Sequence, residues 1–411
     1  MYDLDKIRAS FPMLNKEKTM QGKHLVFLDS SSTTFKPTCV IDAINNYYVN
    51  ETANSHRGDY DLCYNVDQDL LKARKTVARF VNSDPNEVIF TSGTTMSLNM
   101  VALCYGLKYL KKDDEILLTV AEHASNLLPW FKVAKQVGAK IKFIPLTKEG
   151  RITLDNVKKT LTNKTKVVSL AHITNVLGYM CDVKEIAKLA HSVGAIMVVD
   201  GAQSVPHIKT DFKDWDIDFL AFSAHKMCGP TGVGALIGKA SILKDLDPLF
   251  GGGGMNVTFY ESGDIEYLES PVKFESGTLN LAGIFGFKRA IEFIEEIGIE
   301  NIHNHEKELK EYAIKEMEKL DNVIIYNKDS EGSMITFNVK GVFAQDEATL
   351  LNSKGIAVRS GQHCAKILNN FLDTPATVRA SLALYSSKED IDALIDSLRN
   401  GGDILDAYFN D

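Results

Sequence analysis

The sequence predicts an α/β protein whose core is a mostly parallel, seven-stranded sheet covered by helices. The chain has 411 residues, 45% hydrophobic and 24% charged, an ordinary globular composition that can bury a large core and makes two domains the natural expectation. Between about residues 85 and 240 it alternates short β-branched runs with longer amphipathic stretches, the pattern of strands connected by crossover helices. Seven such runs stand in order: Val88–Phe90, Ile116–Val120, Ile141–Ile144, Val167–Leu170, Ile196–Val199, Phe219–Phe222 and Val233–Ile237.

Beyond them, Gly251–Gly254 and the polar stretch to Gly277 predict a long mobile loop, and Ile284–Ile297 a helix at which a second domain starts. There the pattern reads helix (Ile302–Leu320), strand (Val323–Ile325), strand (Met334–Phe337), helix, and the segment Ile356–Arg359. A last helix follows Ser387, whose hydroxyl can cap it, with Glu389 and Asp390 in the favourable first turn. Neither an internal repeat nor a low-complexity tract is present.

A net charge of −8 and a pI near 5.7 offer no basic field for a phosphate backbone, so nucleic acid is not an expected partner. No apolar run approaches the roughly 20 residues that span a bilayer, and Met1–Lys6 lacks the basic and apolar segments of a signal peptide, so a cytoplasmic location is expected. Cys39, Cys63, Cys104, Cys181, Cys228 and Cys364 form no C-x-x-C pair, and most are expected as small core residues rather than a disulfide framework. No metal site is expected.

In open α/β sheets ligands gather at the carboxyl ends of the strands, and the polar residues there are unusually rich. Asp200 closes one run and precedes Gly201-Ala202-Gln203; Ser223, His225 and Lys226 close another; Glu122 and His123, and His172 to Asn175, close two more. Taken alone, an aspartate in that position more often caps the next helix. Its company changes the reading, because Lys226 follows 26 residues later, after the next strand-like run. Thr91-Ser92-Gly93-Thr94-Thr95 forms a loop entering the apolar-periodic segment Leu98–Leu107, which offers N–H groups, hydroxyls and a helix dipole to a phosphate. It is not a Walker loop, and alone it could be a plain capped turn. A phosphate cradle, a carboxylate, a stackable histidine and a lysine together are what pyridoxal phosphate demands.

Ordered stretches along nearly the whole chain then match one family: Leu28-Asp29-Ser30, Ala53-Asn54-Ser55-His56-Arg57-Gly58, Ser92–Thr95, Glu122-His123 with Asn126, Asn175–Gly178, Asp200–Gln203, Phe222–Lys226, Phe274–Thr278, Arg359-Ser360-Gly361-Gln362-His363-Cys364 and Arg379-Ala380-Ser381. The sequence resembles the class V aminotransferase family, specifically the SufS-type cysteine desulfurases. The resemblance implies the pyridoxal-phosphate-dependent transferase fold of type I. Residues 15–285 would form a large cofactor-binding domain, and 1–14 with 286–411 a smaller α/β domain that carries a catalytic cysteine loop.

It further implies that Lys226 forms the imine with the cofactor, Asp200 faces the pyridine nitrogen, His123 stacks on the ring and carries protons, and Gln203 meets the phenolic oxygen. Thr94, Thr95, Ser223 and His225 would hold the phosphate, with Thr278 supplied by the second subunit of a homodimer. Asn175 would contact cofactor and substrate, Arg379 the substrate carboxylate by its guanidinium fork, and Arg359, His56 and Arg57 would lie beside the substrate. Cys364 would take sulfur from L-cysteine, leaving L-alanine and a persulfide for an acceptor of the SufE or SufU type in iron–sulfur cluster assembly. Gly361 gives that loop backbone freedom, while Arg359, His363 and Lys366 predict an electropositive neighbourhood that favours thiolate.

Several positions depart from the family pattern: Met96 stands in place of a glutamate, Ala124 in place of a second histidine, and Phe343 and Gln345 occupy a stretch where many relatives carry histidines. These leave the choice of acceptor open. A selenocysteine lyase or another class V enzyme is the near alternative; a dinucleotide-binding α/β protein is disfavoured because no G-x-G-x-x-G follows an early strand.

Overall fold

A computed structural model describes residues 2–15, 18–55 and 58–400, the side chain of Asn400 excepted. Its central sheet has seven strands: β1 (Val88–Thr91), β2 (Glu115–Leu118), β3 (Lys140–Phe143), β4 (Thr165–Ala171), β5 (Ile196–Asp200), β6 (Phe219–Ser223) and β7 (Gly234–Gly238). The spatial order is β1-β7-β6-β5-β4-β2-β3, and only β7 runs antiparallel to its neighbours. All seven predicted runs become strands of this one sheet.

Burial on both faces explains why the runs are continuously apolar rather than alternating. Along β5 and β6, Met197, Val199, Leu220 and Phe222 feed one core, and Ile196, Val198, Phe219 and Ala221 feed the other. The first core is closed by α1 (Thr38–Asn46), α2 (Asp61–Val81) and α5 (Leu281–Ile297), the second by α3 (Thr94–Val101) and α4 (Ala124–Val137). Helix α5 starts earlier than predicted because Asn280 Oδ1 accepts the Gly283 N–H at 3.0 Å and caps it. The predicted helix from Leu98 to Leu107 is not uniform: α3 gives way to a π-helical turn at Ala102–Gly106.

A second, fully antiparallel sheet is formed by β10 (Val323–Ile325), β11 (Met334–Val339), β12 (Arg359–Gly361) and β13 (Thr377–Ser381), in the order β10-β11-β13-β12. Its core joins Ile335, Phe337, Val378 and Ala380 to α6 (Ile299–Met317) and α8 (Lys388–Asn400), with α7 (Ala344–Ser353) also packed there. The cap expected at Ser387 forms: the Asp390 N–H donates to Ser387 Oγ at 3.2 Å, and the Ser387 N–H to Asp390 Oδ2 at 2.8 Å. Strand β13 is a gap in the sequence reading, which took Arg379-Ala380-Ser381 as a motif and not as a strand. Near the amino end, Val26–Phe27 pairs in parallel with Ile356–Ala357, and this stitches Asp29 to Ser32 against the edge of the small sheet.

The loop expected from Gly251 to Gly277 needs correction. It contains a hairpin of β8 (Asn256–Phe259) and β9 (Ile265–Tyr267). Val257, Thr258 and Phe259 on one side and Ile265 and Tyr267 on the other are good strand formers, and Gly263, at φ +91°, makes the turn between them. The glycine run before them masked that signal. Among the described residues no helix is long and apolar enough to cross a membrane.

Candidate active site

A cavity of about 200 Å³ opens at the carboxyl ends of β1, β4, β5 and β6. On its sheet side, Asp200 is 5% exposed at the end of β5, and its Oδ1 accepts the Ala202 N–H at 2.9 Å. The other carboxylate oxygen accepts no hydrogen bond from the described residues. Burial pushes this carboxyl above the usual range, opposed by the Ala202 N–H and the Lys226 ammonium. Lys226, half-buried after β6, is pushed down to about 8 by burial and by Arg379 and Arg359, while Asp200 acts in the opposite sense.

His123 caps α4 with Nδ1, which accepts the Ser125 N–H at 3.1 Å, so the neutral ring carries its proton on Nε2. Burial first, then Lys226, Arg359 and Arg379, lower it to about 4. Glu122, immediately before it, is fully buried and accepts from Thr119, Asn126 and the Ala171 N–H, each at 2.8 Å, which ties the start of α4 to β4. At the other end of the cavity, Ser223 Oγ accepts the Thr94 N–H at 2.8 Å and lies 2.8 Å from Thr94 Oγ1; Thr95 and Ser125 share a hydroxyl contact of 2.8 Å. Gly93, at φ +140°, and Gly234 let β1, β6 and β7 converge here: a Cβ on Gly234 would come within 2.5 Å of the Phe222 carbonyl oxygen.

The opposite wall comes from the small sheet. Arg359 and Arg379 are register partners on β12 and β13 and so lie side by side. Arg379 is 2% exposed; its Nη1 donates to the Asn175 carbonyl at 2.8 Å, its Nη2 reaches Ser32 Oγ at 3.1 Å, and its buried Nε has no partner. Burial and Arg359 lower it to about 10 despite Asp29. The thiol of Cys364 is exposed and lies 3.9 Å from Arg359 Nη2. Its loop is anchored twice on the large sheet's side: the Ala124 N–H donates to the Cys364 carbonyl, and Asn175 Nδ2 to the His363 carbonyl, each at 2.8 Å. His363 and Cys364 both take positive φ, 49° and 57°.

The family model "Aminotransferase class-V" matches residues 26–394 of this chain. The chain belongs to the class V aminotransferase family. It is 45% identical over 394 residues to a probable cysteine desulfurase of Halalkalibacterium halodurans, covering 96% of both chains. With a probable cysteine desulfurase of Staphylococcus epidermidis it shares 43% identity, covering 97% of this chain and 96% of the relative. Among solved structures it is similar to the cysteine desulfurase CsdA from Escherichia coli (TM-score 0.90, 35% identity, 97% and 98% covered). It is also similar to the apo cysteine desulfurase from Thermococcus onnurineus (TM-score 0.91, 34% identity, 96% and 97% covered).

As a class V aminotransferase, the chain offers residues that fit pyridoxal phosphate. The buried Asp200 carboxylate, with one oxygen open to the cavity, is a costly group that a protonated pyridine nitrogen would compensate. The hydroxyls of Thr94, Thr95 and Ser223 gather at a helix N-terminus, where a phosphate is favoured. Thr94, Thr95, His123, Asn175, Asp200, Gln203, Ser223, His225, Lys226, Arg359 and Arg379 all line this one cavity.

Other site residues lie elsewhere. Thr278 borders a separate hollow with Met96, Phe250 and Phe274, and its Oγ1 accepts from Asn54 Nδ2 at 3.3 Å. His56 and Arg57 lie outside the described residues. The expected cationic role of His363 is corrected: its buried ring bonds Thr377 O and Oγ1 through Nε2 at 3.0 Å, and burial with Arg379 lowers it to about 3, so it is neutral. Ser32 and Ser125 line the cavity and carry no role in the sequence reading, although Ser32 stands just beyond the quoted Leu28-Asp29-Ser30 motif.

Proposed function

We propose that this chain is a pyridoxal-phosphate-dependent cysteine desulfurase that converts L-cysteine to L-alanine and takes the sulfur as a persulfide on Cys364. The observation that carries the reading is an exposed thiol, presented 3.9 Å from a guanidinium, on a loop pinned over a cavity that holds a lysine and a buried aspartate. A transaminase needs the lysine and the aspartate but has no use for that thiol.

When bound, pyridoxal phosphate withdraws electrons from the substrate's α-carbon and weakens its bond from the β-carbon to sulfur. Lys226 would hold the cofactor through its amine and, released by substrate, take the α-proton; an amine lowered to about 8 is neutral often enough to do so. The unpartnered Nε edge of Arg379 would bind the substrate carboxylate. His123, with its proton on Nε2, would lie over the ring and serve as the proton carrier. Cys364 thiolate attacks the substrate sulfur: a sulfur–sulfur bond forms as the carbon–sulfur bond breaks, and the carbon fragment takes a proton at its β-carbon and regains one at its α-carbon to become alanine.

Thr278 would complete the phosphate site from a second copy in a homodimer; the exposed Tyr48, Val49, Val257, Phe259 and Tyr260 support such an interface. The proposed division into 15–285 and 1–14 with 286–411 would follow the two sheets only in outline, because α5 packs on the large-sheet core and Val26 and Leu28 on the small-sheet core. The acceptor would be a SufE- or SufU-type protein in iron–sulfur cluster assembly, in the cytoplasm. The test measures alanine and sulfide from L-cysteine, with and without reductant, for the parent protein, Lys226→Ala and Cys364→Ala. The reading expects both products in equal amounts, both lost in each variant, with Cys364→Ala keeping its cofactor colour. A coloured parent that makes no alanine overturns it.

A further inference from the structure

Two cations of the small sheet converge on one hydroxyl. Arg359 Nη1 donates to Ser32 Oγ at 2.9 Å, Arg379 Nη2 reaches the same oxygen at 3.1 Å, and Ser32 Oγ donates its proton to Asp29 Oδ1 at 2.7 Å. Asp29 also lies 3.4 Å from Arg379 Nη2. The two guanidinium groups would repel each other as register partners on β12 and β13. A shared acceptor backed by a carboxylate is what allows them to sit together.

We propose that Ser32, backed by Asp29, is a positioning residue that holds Arg379 for the substrate carboxylate and Arg359 for the Cys364 thiol through one oxygen. Carboxylate capture and thiol presentation are thereby tied to a single point in the fold. The inference deepens the desulfurase reading and rests on it for the roles of Arg379 and Cys364.

The geometry supports it from both sides. Arg379 is fixed at its other end by the Asn175 carbonyl, so Ser32 and Asn175 between them set the plane of its fork and leave its buried Nε without a partner. Arg359 has one nitrogen on Ser32 and the other near the thiol, so releasing the first frees the second to leave. Ser32 is half-buried and lines the cavity, and its replacement by alanine opens no large void.

The test uses the holoenzyme and two readouts that need no turnover. One is the rate of Cys364 alkylation by iodoacetamide at pH 7, Cys364 being the exposed cysteine among the six. The other is the affinity for L-alanine read from the cofactor's absorbance. Among the described residues, the charged groups that face the thiol are Arg359, Arg379 and Lys226; His123, lowered to about 4, is neutral. Ser32→Ala should change the alkylation rate at pH 7 about two- to threefold, as Arg359 leaves the sulfur, and weaken L-alanine about three- to tenfold. Ser32→Thr, which keeps the hydroxyl, should restore both.

Asp29→Asn should shift both in the same direction by less, and it decides the matter if Ser32→Ala does not fold. An unchanged alkylation rate and unchanged L-alanine affinity in a folded Ser32→Ala protein overturn the proposal. If the parent makes no alanine from L-cysteine yet Ser32→Ala still changes the alkylation rate, the desulfurase reading falls and the positioning role stands.

Discussion

The sheet-side wall of the cavity takes its groups from stretches of a few residues at the ends of adjacent strands, whereas the opposite wall is assembled from residues as far as 347 positions apart. Asp200, Gln203, Ser223, His225 and Lys226 each follow directly from a buried strand, so the sheet alone fixes where they point. Arg359, Arg379 and Cys364 depend on β12, β13, the Asp29–Ser32 segment and the Asn175 loop meeting correctly. One wall is built by local geometry and the other by docking. Losses on the first should therefore be chemical, and losses on the second should be graded and conformational.

The sheet-side wall should give the largest effect. Lys226→Ala removes both the cofactor's covalent anchor and the proposed base, and turnover should fall by roughly 10⁴-fold with little change in melting temperature. Steady-state alanine production and a thermal melt check both halves; a variant that keeps more than about a tenth of the parent rate would assign the base elsewhere.

This asymmetry also explains what was legible in the sequence. Strand runs with polar termini are local, so the seven strands and Asp200, His123, Lys226 and Ser223 could be read from spacing and residue chemistry, with the family resemblance supplying their roles. Strand β13 was not legible, because Thr377–Ser381 is short, contains a buried arginine and is recognisable only through its pairing with β11 and β12. The neutrality of His363 was hidden for the same reason: beside Cys364 and Arg359 in sequence it looks cationic, and only burial against Thr377 shows otherwise. Ser32 lay outside the reading because a serine among serines and threonines signals nothing until two arginines reach it from more than 300 residues away.

Acid should strain both walls at once. His172 and His363 are each 4% exposed and neutral, lowered to about 4 and about 3. A histidine with a depressed folded pKa binds fewer protons folded than unfolded, so stability falls as pH drops below about 6.5 and keeps falling to the folded pKa. At pH 5 each contributes a loss of about 2 kcal/mol. Glu122, raised to about 7 by burial, works in the opposite sense: its contribution is full below the ordinary glutamate range and is lost as pH rises through about 7. With two deeply buried histidines against one glutamate, a net loss of about 2 kcal/mol should lower the melting temperature by about 2 °C between pH 7 and pH 5 in a chain of 411 residues. A flat profile would show that these rings charge freely in the folded state.

Arg379→Lys probes the docked wall. A lysine keeps the charge but loses the fork and the Asn175 contact, so KM for L-cysteine should rise about 10- to 100-fold while the cofactor's absorbance is unchanged. A fall in kcat with KM unchanged would mean that the arginine acts on the chemical step and not on binding.

His363→Gln separates docking from charge on a finer scale. Glutamine can still donate to the Thr377 carbonyl but cannot take up a proton, so stability at pH 7 should fall by only about 1 kcal/mol, the size of an imperfectly replaced hydrogen bond. The drop between pH 7 and pH 5 should shrink by about 2 kcal/mol, the share of the missing imidazole. Cofactor absorbance should not move, because no atom of His363 supports Asp200 or Lys226 in the hydrogen bonds described. If the absorbance does shift, the cysteine loop and the cofactor wall are coupled through Asn175, whose Nδ2 binds the His363 carbonyl, and the two walls must then be treated as one unit.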